Sequence, residues 1–150
     1  MTDATQQLLP QATVHHVRDT CLCLHAQRAA RVLARRFDEA LRPFGLTNGQ
    51  FSLMMALNRQ EPAMISRLAP FLGMDRTTLT AALKPLVRQG FVAITQSEAD
   101  RRSRLARITP RGVAVLRDAV PVWQATHAEL DAAIGEGDAE TLRRLLRNLG

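Results

Sequence analysis

Ile65 to Thr109 reads ISRLAPFLGMDRTTLTAALKPLVRQGFVAITQSEADRRSRLARIT. Ile65, Leu68, Ala69 and Leu72 recur at the i, i+3, i+4, i+7 spacing of an amphipathic helix. Gly73 ends that helix, because the stop needs a residue that tolerates positive φ. Asp75 is placed to N-cap a second helix with Leu79, Leu83 and Leu86 on its inner face. Ala69 allows a close helix crossing, Gly73 makes the turn, and Leu79 packs the second helix back. Together these placements predict a helix-turn-helix. After Gly90 the period changes. Phe91, Val92 and Ile94 suit one short strand, and Leu105, Ala106, Ile108 and Thr109 suit another. Between them, Ser97 to Arg104 carries Asp100, Arg101, Arg102 and Arg104 and no apolar residue larger than Ala99. Taken alone this would be a solvated basic loop. Directly after a helix-turn-helix it reads as the wing of a winged helix, whose arginines suit the negative potential of a narrow minor groove.

The order of these parts (helix-turn-helix, GFV, the Asp100-Arg101-Arg102-Ser103-Arg104 wing, then ITPRG) resembles the MarR family of bacterial transcriptional regulators. The likeness extends over nearly the whole chain, with the wing and the Thr78 to Lys84 run as its most specific parts. It implies that Asp100 steadies Arg102 as that arginine reaches the minor groove.

Outward from this stretch, Thr13 to Arg42 reads as one long helix, ended by Pro43 and Gly45. Leu22, Ala26, Ala30, Leu33, Phe37 and Leu41 form its apolar face, and Arg28, Arg31, Arg35, Asp38 and Arg42 a solvated one. The residues before it are polar and expected to fray. Thr47 is placed to cap TNGQFSLMMALNRQ, which is apolar on more than one side through Phe51, Met54, Met55 and Leu57. Pro85 should kink the second helix of the pair, and Pro121 the next long one. That long helix begins at Thr109 as N-cap and Pro110 as first residue. Val113, Leu116, Val120, Trp123, His127, Leu130 and Ile134 repeat along it at spacings of three and four, a heptad seam. The loop Gly135 to Gly137 leads to Asp138 as N-cap of a last helix, apolar at Leu142, Leu145, Leu146 and Leu149.

The expected fold is therefore mainly α with a small two-stranded wing: a winged helix-turn-helix with long N- and C-terminal dimerisation helices. Residues 1–150 form a single domain in this reading, with dimerisation helices at 13–42 and 110–149 and the DNA-binding lobe at 47–109. The seam and the leucine-rich last helix carry more apolar surface than one small lobe covers, which points to a symmetric homodimer.

The formal charge of +6 favours a polyanionic partner, and nucleic acid leads. Lys84 is the single lysine; the other basic side chains are arginine. MTDATQQLLPQ has neither a charged start nor a long apolar run, so no signal peptide is expected. No stretch is long and apolar enough to span a bilayer. The expectation is a cytoplasmic protein without a membrane partner, and two cysteines in a chain of this length fit a reducing compartment.

For double-stranded DNA, Arg76, Thr77, Thr80 and Lys84 lie off the Leu79–Leu86 face and are the candidate readers of base edges. Ser66 and Arg67 are candidates for phosphate contact. Arg101, Arg102 and Arg104 supply the wing's charge, with Asp100 beside them. A small-molecule effector, best an aromatic acid, is expected against Phe51, Met54 and Met55, with His25 and Arg28 as its polar partners. Those three apolar residues equally suit a plain core. Cys21 and His25 share a helical face, and Leu22-Cys23 resembles the organic hydroperoxide sensors of the same family. That likeness makes Cys23 the reactive thiol, with Cys21 beside it, although the chain lacks the tyrosines those sensors use. Cys-x-Cys-x-His on one helix points its ligands apart, so no metal site and no cofactor are expected. No HExxH, GxSxG or GxxxxGK occurs, which leaves no motif for an enzyme. The competing class is a basic oligomeric module that binds without reading sequence.

Overall fold

The computed structural model describes residues 8–149, and the chain forms two compact units, one up to Arg35 and one from Arg36 onward. In the first unit the long helix expected from Thr13 is two helices, α1 (Gln11–Thr20) and the start of α2 (Leu22–Leu41). The break has local causes. The Thr20 hydroxyl donates back to the His16 carbonyl (2.7 Å), a bond that competes with the helix ladder. Cys21 takes extended backbone (ψ 105°), and its sulfur accepts the Leu24 N–H at 3.4 Å, opening the next helix. Helix also starts earlier than expected, just after Pro10.

The second unit begins with the last turns of α2, where Phe37 and Leu41 are buried. A 3-10 turn, Arg42–Phe44, and Gly45 in the left-handed region (φ 70°) turn the chain into α3 (Asn48–Ala56). Thr47 and Gln50 form a reciprocal capping box there, and Asp38 accepts the Asn48 N–H at 2.7 Å. Phe51, Leu53, Met54 and Leu57 are all buried, as an all-round apolar helix requires.

The wing has a third strand. β1 (Ala63–Met64) pairs antiparallel with β3 (Arg104–Ile108), which pairs with β2 (Val92–Gln96), in the order β1-β3-β2. Two residues after a proline carry no legible alternation, so the strand is absent from the sequence reading. Helices α4 (Ile65–Phe71) and α5 (Arg76–Arg88) form the helix-turn-helix. Gly73 has φ +65°, and Leu79, Leu83 and Leu86 are fully buried.

α5 runs on through Pro85, and α6 (Pro110–Ile134) runs on through Pro121. The carbonyls their missing N–H groups leave free belong to Ala81 and Arg117, both on the exposed side of their helices. At the start of α6, Gly112 is close-packed: a Cβ there would lie 2.3 Å from the Phe91 carbonyl oxygen. The predicted seam is partly consumed within the protomer. Leu116 is buried, and Trp123 stacks on Phe51 (ring centroids 5.8 Å) while His127 packs on Trp123 (4.3 Å) and Phe37 (4.5 Å). The last helix, α7 (Glu136–Arg147), starts from Gly135 rather than Asp138, so Asp138 lies in its first turn. Arg143 ties it to α6 through Asp131.

Candidate DNA interface

The geometry of α5 starts at its cap. Asp75 accepts the Thr78 N–H at 2.8 Å and the Thr78 hydroxyl at 2.6 Å. These bonds, the hydroxyl's first, hold the Asp75 carboxyl below the usual carboxylate range. Thr78 is thereby spent on the cap. Thr77 and Thr80 remain on the open side, and the Thr80 hydroxyl donates to the Arg76 carbonyl at 2.8 Å. Arg76, Thr77, Thr80, Ala81 and Lys84 line one shallow depression of about 330 Å³. Ala81 was missed by the sequence reading. It is the small residue between Thr77 and Lys84 at helical spacing, and the absence of a polar group hid it.

Arg76 and Thr80 also wall a second hollow, about 270 Å³, with Ser66 from α4 and Ser103 and Arg104 from the wing. Four of the expected DNA-facing residues (Ser66, Arg76, Thr80, Arg104) thus converge from three elements. Arg67 does not join them: it lines a separate groove of about 750 Å³ with Met55 and Met64.

The wing tip is a structured turn. The Asp100 carboxylate accepts the Arg102 backbone N–H at 3.0 Å and the Ser103 hydroxyl at 2.8 Å, and those bonds lower its pKa, the Arg102 bond most. The Gln96 side chain donates to the Arg101 carbonyl, and Ser97 N–H to the Ser103 carbonyl at 2.9 Å. Asp100 therefore holds Arg102 through its backbone. Among the described residues no carboxylate pairs with the guanidinium of Arg101, Arg102 or Arg104. All three are exposed.

Of the expected effector residues, Phe51 and Met54 are buried in the core and Met55 is exposed in the separate groove, so the three share no open wall. His25 and Arg28 are exposed on α2, in the first unit, and the His25 ring meets the Asp19 carbonyl at 3.2 Å. Cys21 is half-buried and Cys23 exposed. Among the described residues no three His, Cys, Asp or Glu side chains gather in a group that could hold a metal.

Residues 46–103 match the MarR family. The transcriptional regulator MosR of M. tuberculosis, solved in complex with DNA, is 40% identical, with 86% of this chain and 92% of that one covered at a TM-score of 0.79. This chain belongs to the MarR family. Its MarR relatives include the repressor CouR, solved on a 23-mer DNA duplex (25% identical, 95% and 99% covered, TM-score 0.80). The transcriptional repressor MprA of Escherichia coli (strain K12) is 28% identical over 132 residues, 87% of this chain and 73% of MprA. The chain is a transcriptional regulator of the MarR type, and no helix among its described residues is long and apolar enough to cross a membrane.

Proposed function

We propose that this MarR-type regulator is a repressor that grips a pseudo-palindromic DNA duplex as a two-fold dimer. The convergence of Ser66, Arg76, Thr80 and Arg104, beside a wing whose arginines pair with no carboxylate among the described residues, carries the reading. Arg76 at the start of α5 is in the place from which a helix-turn-helix reads bases, and the wing arginines suit phosphate and minor groove. MosR and CouR were each solved on DNA, and CouR and MprA are named repressors, which supports both parts. The dimer is supported by leucines that stay open to solvent on α7, Leu142, Leu145 and Leu146 among them. Footprinting on the promoter beside its own gene tests the reading. Two protected half-sites about one helical turn apart are expected. Salt-sensitive protection without sequence preference would favour the basic module instead.

A small aromatic acid is the effector that suits this reading, since it would shift DNA affinity only by binding the DNA-ready and released arrangements unequally. A second reading rests on Cys23, which is exposed near the start of α2 and open to a hydroperoxide. Cys23→Ser separates them: release by the acid should survive the substitution, whereas a thiol sensor would lose all release.

A further inference from the structure

The groove that takes Arg67 away from the DNA face has a composition of its own. In the β1–β3 pairing, Ala63 opposes Ala106 and Met64 opposes Leu105. Side chains alternate along a strand, so the two alanines turn into the core, where both are buried, and Met64 and Leu105 turn to the outer face. A sheet with one solvated face should carry polar residues there. Instead the two apolar side chains line a hollow with Phe71, which is 79% exposed, and Met55, which is 42% exposed. The hollow they line measures about 750 Å³, within the range of small-molecule sites.

The only charged groups in its lining are Arg59 and Arg67, and the lining holds no carboxylate. Neither arginine forms an ion pair among the described residues. An apolar trough with two uncompensated guanidinium groups is complementary to a molecule with a flat apolar body and one negative end.

We propose that this groove binds an amphipathic carboxylate, its apolar body on Met64, Phe71 and Leu105 and its carboxylate on Arg59 and Arg67. The site deepens the proposed regulation and rests on that reading for its consequence. Arg67 follows Ser66 on α4, and Ser66 lines the hollow shared with Arg76 and Arg104. Leu105 follows Arg104 on β3 in the same way. An acid in the groove thus holds the back of the two elements whose neighbouring residues are proposed to face DNA. Binding of acid and of DNA must then weaken one another by the same factor.

Calorimetric titration of the full chain with 2-naphthoate, and separately with its uncharged carboxamide, tests the site in the absence of DNA. The acid should bind once per protomer, and the amide about tenfold more weakly or worse. Arg59→Gln should cost the acid about tenfold while leaving the amide unchanged. Phe71→Ala, at an exposed position that should not disturb folding, should weaken both. Unchanged melting curves would show that the variants fold. Absence of binding at millimolar acid, equal binding of acid and amide, or full acid affinity in Arg59→Gln would each overturn the proposal. Because DNA is left out of the titration, a failed footprint would not be mistaken for a failed ligand site. Once an operator is in hand, Arg59→Gln should bind it normally but resist release by the acid. Release equal to wild type would overturn the assignment of Arg59.

Discussion

The winged lobe and the terminal helices treat the same residue, leucine, in opposite ways. On α5, Leu79, Leu83 and Leu86 are each 0% exposed, closed over by α4 and the sheet. On α7, Leu145 and Leu146 are 50% and 51% exposed, and Leu22 at the start of α2 is 75% exposed. The lobe completes its core from its own chain. The terminal helices carry amphipathic stripes that the protomer leaves open, the condition in which a second copy supplies the missing face. Stability of the lobe should therefore be a property of the sequence alone, and stability of the terminal helices a property of concentration as well.

Truncating a leucine in each region is the strongest way to break this contrast. Leu83→Ala should destabilise the lobe by about 2–5 kcal/mol, as a cavity among fully buried neighbours does, at every protein concentration. Leu145→Ala should leave the lobe's urea transition nearly in place and shift the molecule toward monomer in sedimentation equilibrium. If Leu145→Ala unfolds the chain as deeply as Leu83→Ala without changing its association, the division fails.

Glycine substitutions sharpen the same boundary. A methyl group at Gly112 meets the Phe91 backbone at 2.3 Å, so Gly112→Ala should cost about 1–3 kcal/mol in thermal or urea unfolding, because backbone cannot step aside. Gly49, in the first turn of α3, has nothing within 4 Å, and Gly49→Ala should stabilise by about 0.5 kcal/mol. Equal effects at the two sites would mean that α6 is not seated on Phe91 as described.

Arg76 and Arg102 extend the comparison into the lobe's proposed DNA face. Arg76→Ala should reorder the affinities of operator variants by about 1–3 kcal/mol if the guanidinium holds a guanine bidentately. Arg102→Ala should weaken all duplexes alike and flatten the salt dependence. Indistinguishable profiles would merge the two roles.

What the sequence showed, and what it hid, follows from the range of the interactions involved. The helix pair was legible because Leu79, Leu83 and Leu86 repeat at the helical period and Asp75 and Gly73 mark its ends; each signal lies within four residues of its partner. β1 was hidden because Ala63 and Met64 owe their strand to Ala106 and Leu105, far along the chain. The break at Cys21 was hidden too, since it depends on hydrogen bonds of Thr20 and on a thiol acting as a cap. At the candidate site, residue type and helical phase pointed to Arg76, Thr80 and Ser66, which line one hollow. They could not separate Arg67 from Ser66, adjacent residues of one helix that line different hollows.

The smallest effect expected is an acid-limb difference between Asp75 and Asp100, whose hydrogen bonds order the start of α5 and the wing turn, and carboxylates that merely decorate the surface. Asp75 is held below its ordinary pKa by Thr78, and Asp100 by the Arg102 N–H and Ser103. A carboxyl whose folded pKa is depressed binds fewer protons in the folded state than in the unfolded state. It contributes its full stabilisation above the unfolded pKa of about 3.9, and that contribution is lost as pH falls from there through the folded value. Asp75→Asn removes the charge but keeps a capping oxygen, so at neutral pH the helix should stay capped. Its stability should then decline less steeply than wild type below about pH 4. The same substitution at Asp100 should act on DNA instead, because the wing turn presents Arg102: Asp100→Asn should loosen operator binding at neutral pH more than it lowers the melting temperature. Parallel acid limbs for wild type and Asp75→Asn, in urea titrations across that pH range, would show that the Thr78 bonds do not hold the carboxylate in solution.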